Sequence, residues 1–293
     1  MKYNSVIVGA VSKDINIDCE GNVRREVGGA VVQAGFAAGR CGFRAAVITK
    51  SAADVDVHAR FAGSNADVFA LSSKNTCSIR NEYLTPDKER RICTSLNVCD
   101  KFTMTDINAA GEISAEVWHL AGLVYGDFDE EIFTGLHGKI AVDVQGFLRH
   151  VEGDKTMRFH DWTDKKKYLP LIDYLKTDAA EAEILTGEAD RYEAARKLAG
   201  MGAREIMITH NTEILIYDGR EFFTCPIKSR NLSGRTGRGD TAFSGYINSR
   251  VTQDIHDSLL FASALVSLKM ETPGAFMGTK EDVMSYMHEF YAS

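Results

Sequence analysis

The chain has 293 residues, 44% hydrophobic and 26% charged, the balance of an ordinary soluble globular protein with enough length for one large domain or two small ones. Its 41 acidic against 34 basic side chains give a net charge of −7, which argues against nucleic acid as the main partner, since phosphate backbones call for a basic face. No run approaches the roughly 20 apolar residues that span a bilayer, and the six cysteines are scattered without ligand spacing, so neither membrane insertion nor a zinc centre is expected and the thiols read as reduced cytoplasmic ones.

In chain order, SVIVGAV (5–11) reads as a first strand rather than a signal peptide. KDINIDCEGNVRREV (13–27) alternates polar and apolar residues around the turn EGN, the pattern of a hairpin with one solvated face. GAVVQAGFAAGRCG (29–42) reads as a buried helix of small residues, RAAVIT (44–49) as a strand, DVHARFAG (56–63) as a short helix and VFAL (68–71) as a strand. A second hairpin is expected over 76–98 around TPDKE. Strands follow at 117–124, 139–144, 171–176 and 205–210; helices fit 128–137, 179–186, 190–200, 240–252, 256–270 and 281–291. Such alternation predicts an α/β fold with a mostly parallel sheet covered on both faces. With no repeat, linker or low-complexity stretch, 1–293 reads as one domain. The segments 13–27 and 76–98 would meet as a small antiparallel lid outside the main sheet. The lid's open edge invites strand pairing and hence a homodimer.

One stretch carries chemistry: SGRTGRGDTAFSGY (233–246). The pattern GxxxxGK[ST] occurs nowhere, so a Walker-type site is unsupported. Gly237 to Ala242 fits GxGxxG/A, but no apolar strand precedes it, which speaks against a dinucleotide fingerprint and a dehydrogenase. Phe243, Ile247 and Val251 recur at i+4, so a helix begins at or near Asp240. Helix N-termini present unpaired N–H groups and partial positive charge. Gly237 and Gly239 let the backbone turn its amides toward one anion, for which a phosphoryl group is the natural guest. A carboxylate beside it suits a general base; an ordinary N-cap aspartate is the other reading of the loop alone.

GRTGRGDTAFSGY resembles the second signature of the ribokinase-like (pfkB) carbohydrate kinases, usually near DTxGAGDxFxxG, through Thr236, Gly237, Gly239, Asp240, Phe243 and Gly245. Gly234 stands where the family's first Asp is common, and Arg238 replaces a small residue. Gly28, Gly29 and Gln33, followed by a small-residue helix, are similar to the first signature, with Gln33 for the usual Asn. VGAVSKD (8–14) is similar to the opening strand with its substrate-binding aspartate, here Asp14. KTDAAEAEILTG (176–187) resembles the NxxE region, with Asp178 for Asn and Glu181 retained. DVQGFLR (143–149) resembles a strand end of sugar-acid and cyclitol kinases, and ALVSLKMETPGA (264–275) the helix and loop that flank adenine.

The resemblance implies a three-layer ribokinase-like α/β/α fold and an ATP- and Mg²⁺-dependent kinase acting on a small polyol, a sugar or cyclitol. Asp240 would be the base, with Gly237, Arg238 and Gly239 offering amides to the phosphate. Glu181, through water, and Asp178 would serve the Mg²⁺ and phosphate region. Asp14, Gly28, Gly29, Gln33 and Arg149 would meet substrate. A nucleoside kinase would want an aromatic wall in the lid, where Tyr83 is the one aromatic residue. A sugar-binding or regulatory protein of the same fold without turnover is the alternative outside catalysis. His119 and His210 read as core histidines, and Lys165–Lys167 as a solvated loop.

Overall fold

The computed structural model describes residues 1–85 and 90–291. Residues 86–89, most of the TPDKE turn, lie outside the described residues. The strands are β1 (Lys2–Val8), β2 (Ser12–Ile17), β3 (Val23–Gly28), β4 (Ala45–Ser51), β5 (Asp67–Ser72), β6 (Cys77–Tyr83), β7 (Arg91–Asn97), β8 (Ser114–Leu120), β9 (Lys139–Asp143), β10 (Arg149–Val151), β11 (Met157–Phe159), β12 (Tyr174–Asp178), β13 (Glu205–Thr209), β14 (Glu213–Tyr217) and β15 (Phe222–Pro226). The helices are α1 (Ala30–Arg40), α2 (Val57–Arg60), α3 (Met104–Ala109), α4 (Ile132–Gly135), α5 (Gln145–Leu148), α6 (Lys165–Tyr168), α7 (Ala179–Thr186), α8 (Arg191–Gly200), α9 (Arg238–Ser249), α10 (Ile255–Met270) and α11 (Lys280–Tyr291). None of them is long and apolar enough to cross a membrane.

Nine strands form the main sheet in the order β15-β14-β13-β12-β9-β8-β1-β4-β5, with every pairing parallel except the two that β14 makes, to β13 and β15. Parallel strands covered on both faces read as unbroken apolar runs, and all seven residues of β4 are buried. Alternate side chains sort the layers. Val117, Ala141, Tyr174 and Met207 pack on Phe243, Tyr246 and Ile247 of α9 and Leu259 and Val266 of α10. Ile140, Val142, Leu175, Ile206 and Ile208 join Leu185 of α7 and Leu198 of α8 in the larger core. Each such side chain contributes about 1.5–3 kcal/mol by leaving water, so α9 is set rigidly against the sheet.

Several sequence expectations shift. The strand read at 171–176 begins at Tyr174, because Pro170 sits in a 3₁₀ turn over Leu169–Leu171 that fills its start. The helix read over 128–137 shortens to α4. The hairpin β14–β15 was missed, although Asp218-Gly219 between two apolar runs is a turn signal. Lys165–Lys167 is helical rather than a loop: it lies in α6, where Lys165 holds Asp161 and the Leu185 carbonyl while Lys166 and Lys167 are exposed. His119 is a buried residue packed edge-on to Phe243, with burial pushing its imidazole down to about 4. His210 lies just past β13 and meets the Thr212 hydroxyl at 3.1 Å, outside the core.

The two hairpins do meet outside the main sheet, in the order β3-β2-β6-β7. Each is antiparallel, but β2 and β6 join them side by side in parallel, because both leave the main sheet in the same direction. The register puts Asp14, Asn16, Glu26, Asn81, Tyr83, Cys93 and Arg91 on one face of this lid. Val23 and Ile92, on the opposite face, are exposed.

Candidate functional site

The C-terminal ends of β9 and β12, where an open parallel sheet places its crevice, meet the N-termini of α7 and α9. Gly237 caps α9 with a left-handed backbone, φ 78°. A Cβ at this position would lie 2.3–2.5 Å from the side chain of Gln33, so only glycine fits both the turn and the space. The helix therefore starts at Arg238, two residues before Asp240, and Asp240 is a first-turn residue rather than the N-cap. The Arg238 amide donates to the Arg235 carbonyl at 3.3 Å. That turn diverts one of the amides expected in the anion nest; by position in the first turn, the Gly239 and Asp240 amides have no intrahelical acceptor.

The loop before α9 is tied down by backbone. Gly234 N–H donates to the Met270 carbonyl at 2.7 Å, and Ser233 Oγ to the Glu271 carbonyl at 2.7 Å. Lys269 Nζ donates to the carbonyls of Gly234, at 2.6 Å, and Thr236. A Cβ on Gly234 would stand 2.0 Å from the Thr272 carbonyl oxygen, which explains why glycine replaces the larger family residue. Arg235 and Arg238 both reach Asn211 Oδ1, at 3.3 and 2.9 Å, and gather two guanidinium groups beside the nest. Next to Lys269, a cavity of about 350 Å³ is lined by Leu268, Thr272, Phe276, Met277 and Tyr286 among others.

Three buried charges surround Asp240. Lys176 Nζ meets Asp143 Oδ2 at 2.9 Å, with both residues nearly sealed from solvent. Burial raises the Asp240 carboxyl to about 6, Asp143 pushes the same way, and Lys176 and Lys269 pull it back. Lys269 is itself lowered to about 8 by burial, against the pull of Asp240 and Glu26.

Asp178 and Glu181 form a reciprocal cap at the start of α7: Glu181 N–H donates to Asp178 Oδ1 and Asp178 N–H to Glu181 Oε2, each at 2.8 Å. The spacing did place both on one side, but as a capping box. Glu181 is buried, and burial lifts its carboxyl to about 7 despite Lys176. Among the described residues no group of three or more His, Cys, Asp or Glu stands close enough to ligate a metal directly. A single carboxylate such as Glu181 would serve a hard cation that keeps most of its own waters.

Among the residues the resemblance assigns to substrate, Asp14 sits within lid strand β2, as the hairpin read over 13–27 has it, and not at the end of the opening strand as the resemblance implied: β1 stops at Val8 and the chain turns before Ser12. Its Oδ1 is buried without a hydrogen-bond partner, and burial raises the carboxyl to about 6. Gly28 lies against it, so that a Cβ there would be 3.4 Å from Asp14 Oδ2. Gly29 caps α1 with φ 107°. Gln33, in the first turn of α1, leans on Gly237 with its Oε1 buried and unpartnered. Arg149 is buried rather than solvated; its Nη2 donates to Gln145 Oε1 at 2.5 Å, and its charge acts on Asp14. Sequence reasoning missed Asp143, Lys176 and Lys269. A charged residue inside an apolar strand or helix was the available signal, since such a charge is retained in a core only with partners.

The family model for pfkB family carbohydrate kinases matches residues 3–281. The chain is 32% identical to a pyrophosphate-dependent kinase in the ribokinase family complexed with a pyrophosphate analog and myo-inositol, over 96% of this chain and 99% of that one, with a TM-score of 0.86. With ribokinase of Arabidopsis thaliana, complexed with ribose and ATP, it shares the fold at 15% identity, over 98% of this chain and 99% of that one, with a TM-score of 0.76. A cytidine kinase of Thermococcus kodakarensis is 32% identical over 113 residues, 34% of this chain, and that match spans 41% of the relative's own length. The family match runs from β1 into α11, so the chain belongs to the pfkB family of carbohydrate kinases.

Proposed function

We propose that this kinase transfers a phosphoryl group to a hydroxyl of a cyclitol or closely related polyol, with Asp240 as the general base. The observation that carries this is the placement of one carboxylate, raised to about 6, in the first turn of α9 beside open amides and two buried lysines. The acceptor O–H bond breaks to Asp240 as the oxygen–phosphorus bond forms. As it forms, the donor's phosphorus–oxygen bond breaks in line with it, and the leaving phosphate oxygen keeps the electron pair. Gly239 and Asp240 amides and the nearby cations offset the charge on the moving group. Mg²⁺ would supply further charge neutralisation at the donor phosphates, with Glu181 holding its water.

The lid supports a polyol. The face that carries Asp14 also carries Asn16, Glu26, Asn81 and Arg91, with Asn81 Nδ2 on Asn16 Oδ1 at 3.0 Å and Asn16 Nδ2 on Glu26 Oε1 at 2.7 Å, and a single aromatic ring, Tyr83. One ring among so many hydrogen-bonding groups suits a ring of hydroxyls better than the flat face of a base. For the donor, the loop clamped to α10 and the two guanidinium groups on Asn211 favour a compact one, inorganic pyrophosphate, as in the similar pyrophosphate-dependent kinase complexed with a pyrophosphate analog and myo-inositol. ATP is the second reading, favoured by the cavity beside Lys269 where the resemblance places adenine.

The test is a matrix of pyrophosphate and ATP, each with Mg²⁺, against myo-inositol, ribose and cytidine. Turnover on myo-inositol with pyrophosphate is expected; turnover on cytidine alone overturns the acceptor, and turnover with ATP alone overturns the donor. Binding with no turnover on any pair identifies a non-catalytic sugar-binding protein. Asp240→Asn should lower kcat by about two orders of magnitude or more. In the parent, kcat/KM should fall as pH drops through about 6, because the base works only while ionised.

A further inference from the structure

Lys176 and Asp143 face each other across the sheet, directly opposite in the parallel register of β12 and β9. They are bonded at 2.9 Å and almost wholly buried. The second Asp143 oxygen accepts the Gln145 amide at 3.1 Å, which fixes the carboxylate. The ammonium lies under the first turn of α9: a Cβ on Gly239 would be 3.0 Å from Lys176 Cε and 3.1 Å from Nζ. Asp143 takes one of three ammonium N–H bonds, and the rest are available toward Gly239 and Asp240. Buried ion pairs add little stability over apolar residues of the same shape. A pair placed between the base and the phosphate nest calls for a different reason.

We infer that Lys176, anchored by Asp143, is a positioning residue that joins the general base to the donor nest. This rests on the reading of Asp240 as the base. The three groups form a unit of two carboxylates and one ammonium with a charge of −1, which becomes neutral when Asp240 accepts the acceptor's proton. Lys176 holds Asp240 ionised against the like charge of Asp143 and sets the direction of its lone pair. The other titratable and charged groups facing the unit are Lys269 of α10, which acts on Asp240; Glu181 of α7 and Asp178 at the end of β12, which act on Lys176; His119 of β8, which faces both Asp143 and Lys176; and Arg149, which faces Asp143; Glu26 of the lid acts on Lys269.

The test compares Lys176→Met and Asp143→Asn by steady-state kinetics across pH. An opposite or like charge within a few ångströms moves a carboxyl by about one to three units. The acid limb of kcat, read at saturating acceptor so that Asp14 does not enter it, should therefore move up by about one unit in Lys176→Met and down by about one unit in Asp143→Asn. Each should lose about tenfold or more in kcat with acceptor KM within about threefold of the parent. Where turnover is too slow to profile, the Asp240 carboxyl is titrated in the folded protein by ¹³C NMR, with the same shifts expected. The double variant removes both charges and covers the case of a single variant that does not fold: its limb should return to the parent's position while kcat stays low. Unmoved limbs, or shifts of the same sign in both single variants, overturn the inference, as does parental kcat in the double variant. Asp240→Asn measured alongside separates the two readings. Parental turnover there removes the base itself; loss there with parental Lys176→Met and Asp143→Asn removes only the positioning role.

Discussion

The two sides of the cleft are built from different material. The side proposed for the donor, 233–240, is made of main-chain groups, several already engaged: the Gly234 amide on Met270, and the Gly234 and Thr236 carbonyls on Lys269, with the Gly239 and Asp240 amides left without an intrahelical acceptor. The side proposed for the acceptor is made of side chains on lid strands, some still unsatisfied, such as Asp14 Oδ1. Main-chain donors cannot be changed by substitution except through sterics, whereas lid side chains can be exchanged singly. A fold organised this way keeps phosphoryl chemistry constant while its acceptor varies. Substitutions on the two sides should therefore fail differently, in donor terms on one and in acceptor terms on the other.

The sharpest way to break this division is Gly237→Ala. A left-handed φ of 78° costs an L residue roughly 1–2 kcal/mol, and the methyl would collide with Gln33. The start of α9 must shift, and a displacement near 1 Å at reacting groups costs about 10²-fold. We expect kcat/KM for the donor to fall about 10²-fold while the acceptor's dissociation constant, measured by calorimetry without donor, stays near parental. Adding Gln33→Ala should recover the steric part of the loss. If acceptor binding weakens as much as donor use, the two sides are not separable.

Asp14→Asn probes the opposite side. The substitution keeps shape and removes a charged acceptor of hydroxyl hydrogen bonds, worth about 1.5–3 kcal/mol each. Acceptor KM should rise about tenfold or more with donor KM unchanged. Because burial lifts Asp14 to about 6, the parent's acceptor KM should also climb as pH falls below that value. The Asn variant should lack this climb. A matching climb in the variant would assign it to another group.

Much of this division is visible in the sequence, and the part that is not has a common cause. The alternation of apolar runs shows the sheet, and the glycines around Asp240 show the nest, because both are local signals. SRNLSGRT shows nothing of its attachment to α10, since Met270, Glu271 and Lys269 approach it only in three dimensions. Asp143 and Lys176 lie 33 residues apart and face each other only through strand register. The hairpin pattern over 13–27 puts Asp14 in the lid, where it is found, but the resemblance ties it to the opening strand because the turn between Val8 and Ser12 lies inside an apolar run, GAV, that carries no turn residue but glycine. Asp178 and Glu181 were read through a resemblance, when the local spacing alone describes a helix cap.

Lys269→Met gives the smallest effect and the finest resolution of the donor side. The ammonium closes two carbonyls of the loop, so its loss loosens the loop without touching the nest's amides. Donor KM should rise a few-fold, with acceptor KM unchanged. Stability supplies a second reading with a definite sign. Burial holds the folded-state pKa near 8, below the ordinary 10.5, so between these values the unfolded chain binds more protons than the native one. Stability contributed at this position therefore rises with pH across that window and is constant below it. The parent should gain thermal stability over the methionine variant as pH goes from about 8 to about 10.5, with a steady difference between pH 6 and 7. A gap that narrows instead would mean that the lysine is charged and held by Asp240 throughout, and that the loop clamp is chiefly an ion pair with the base.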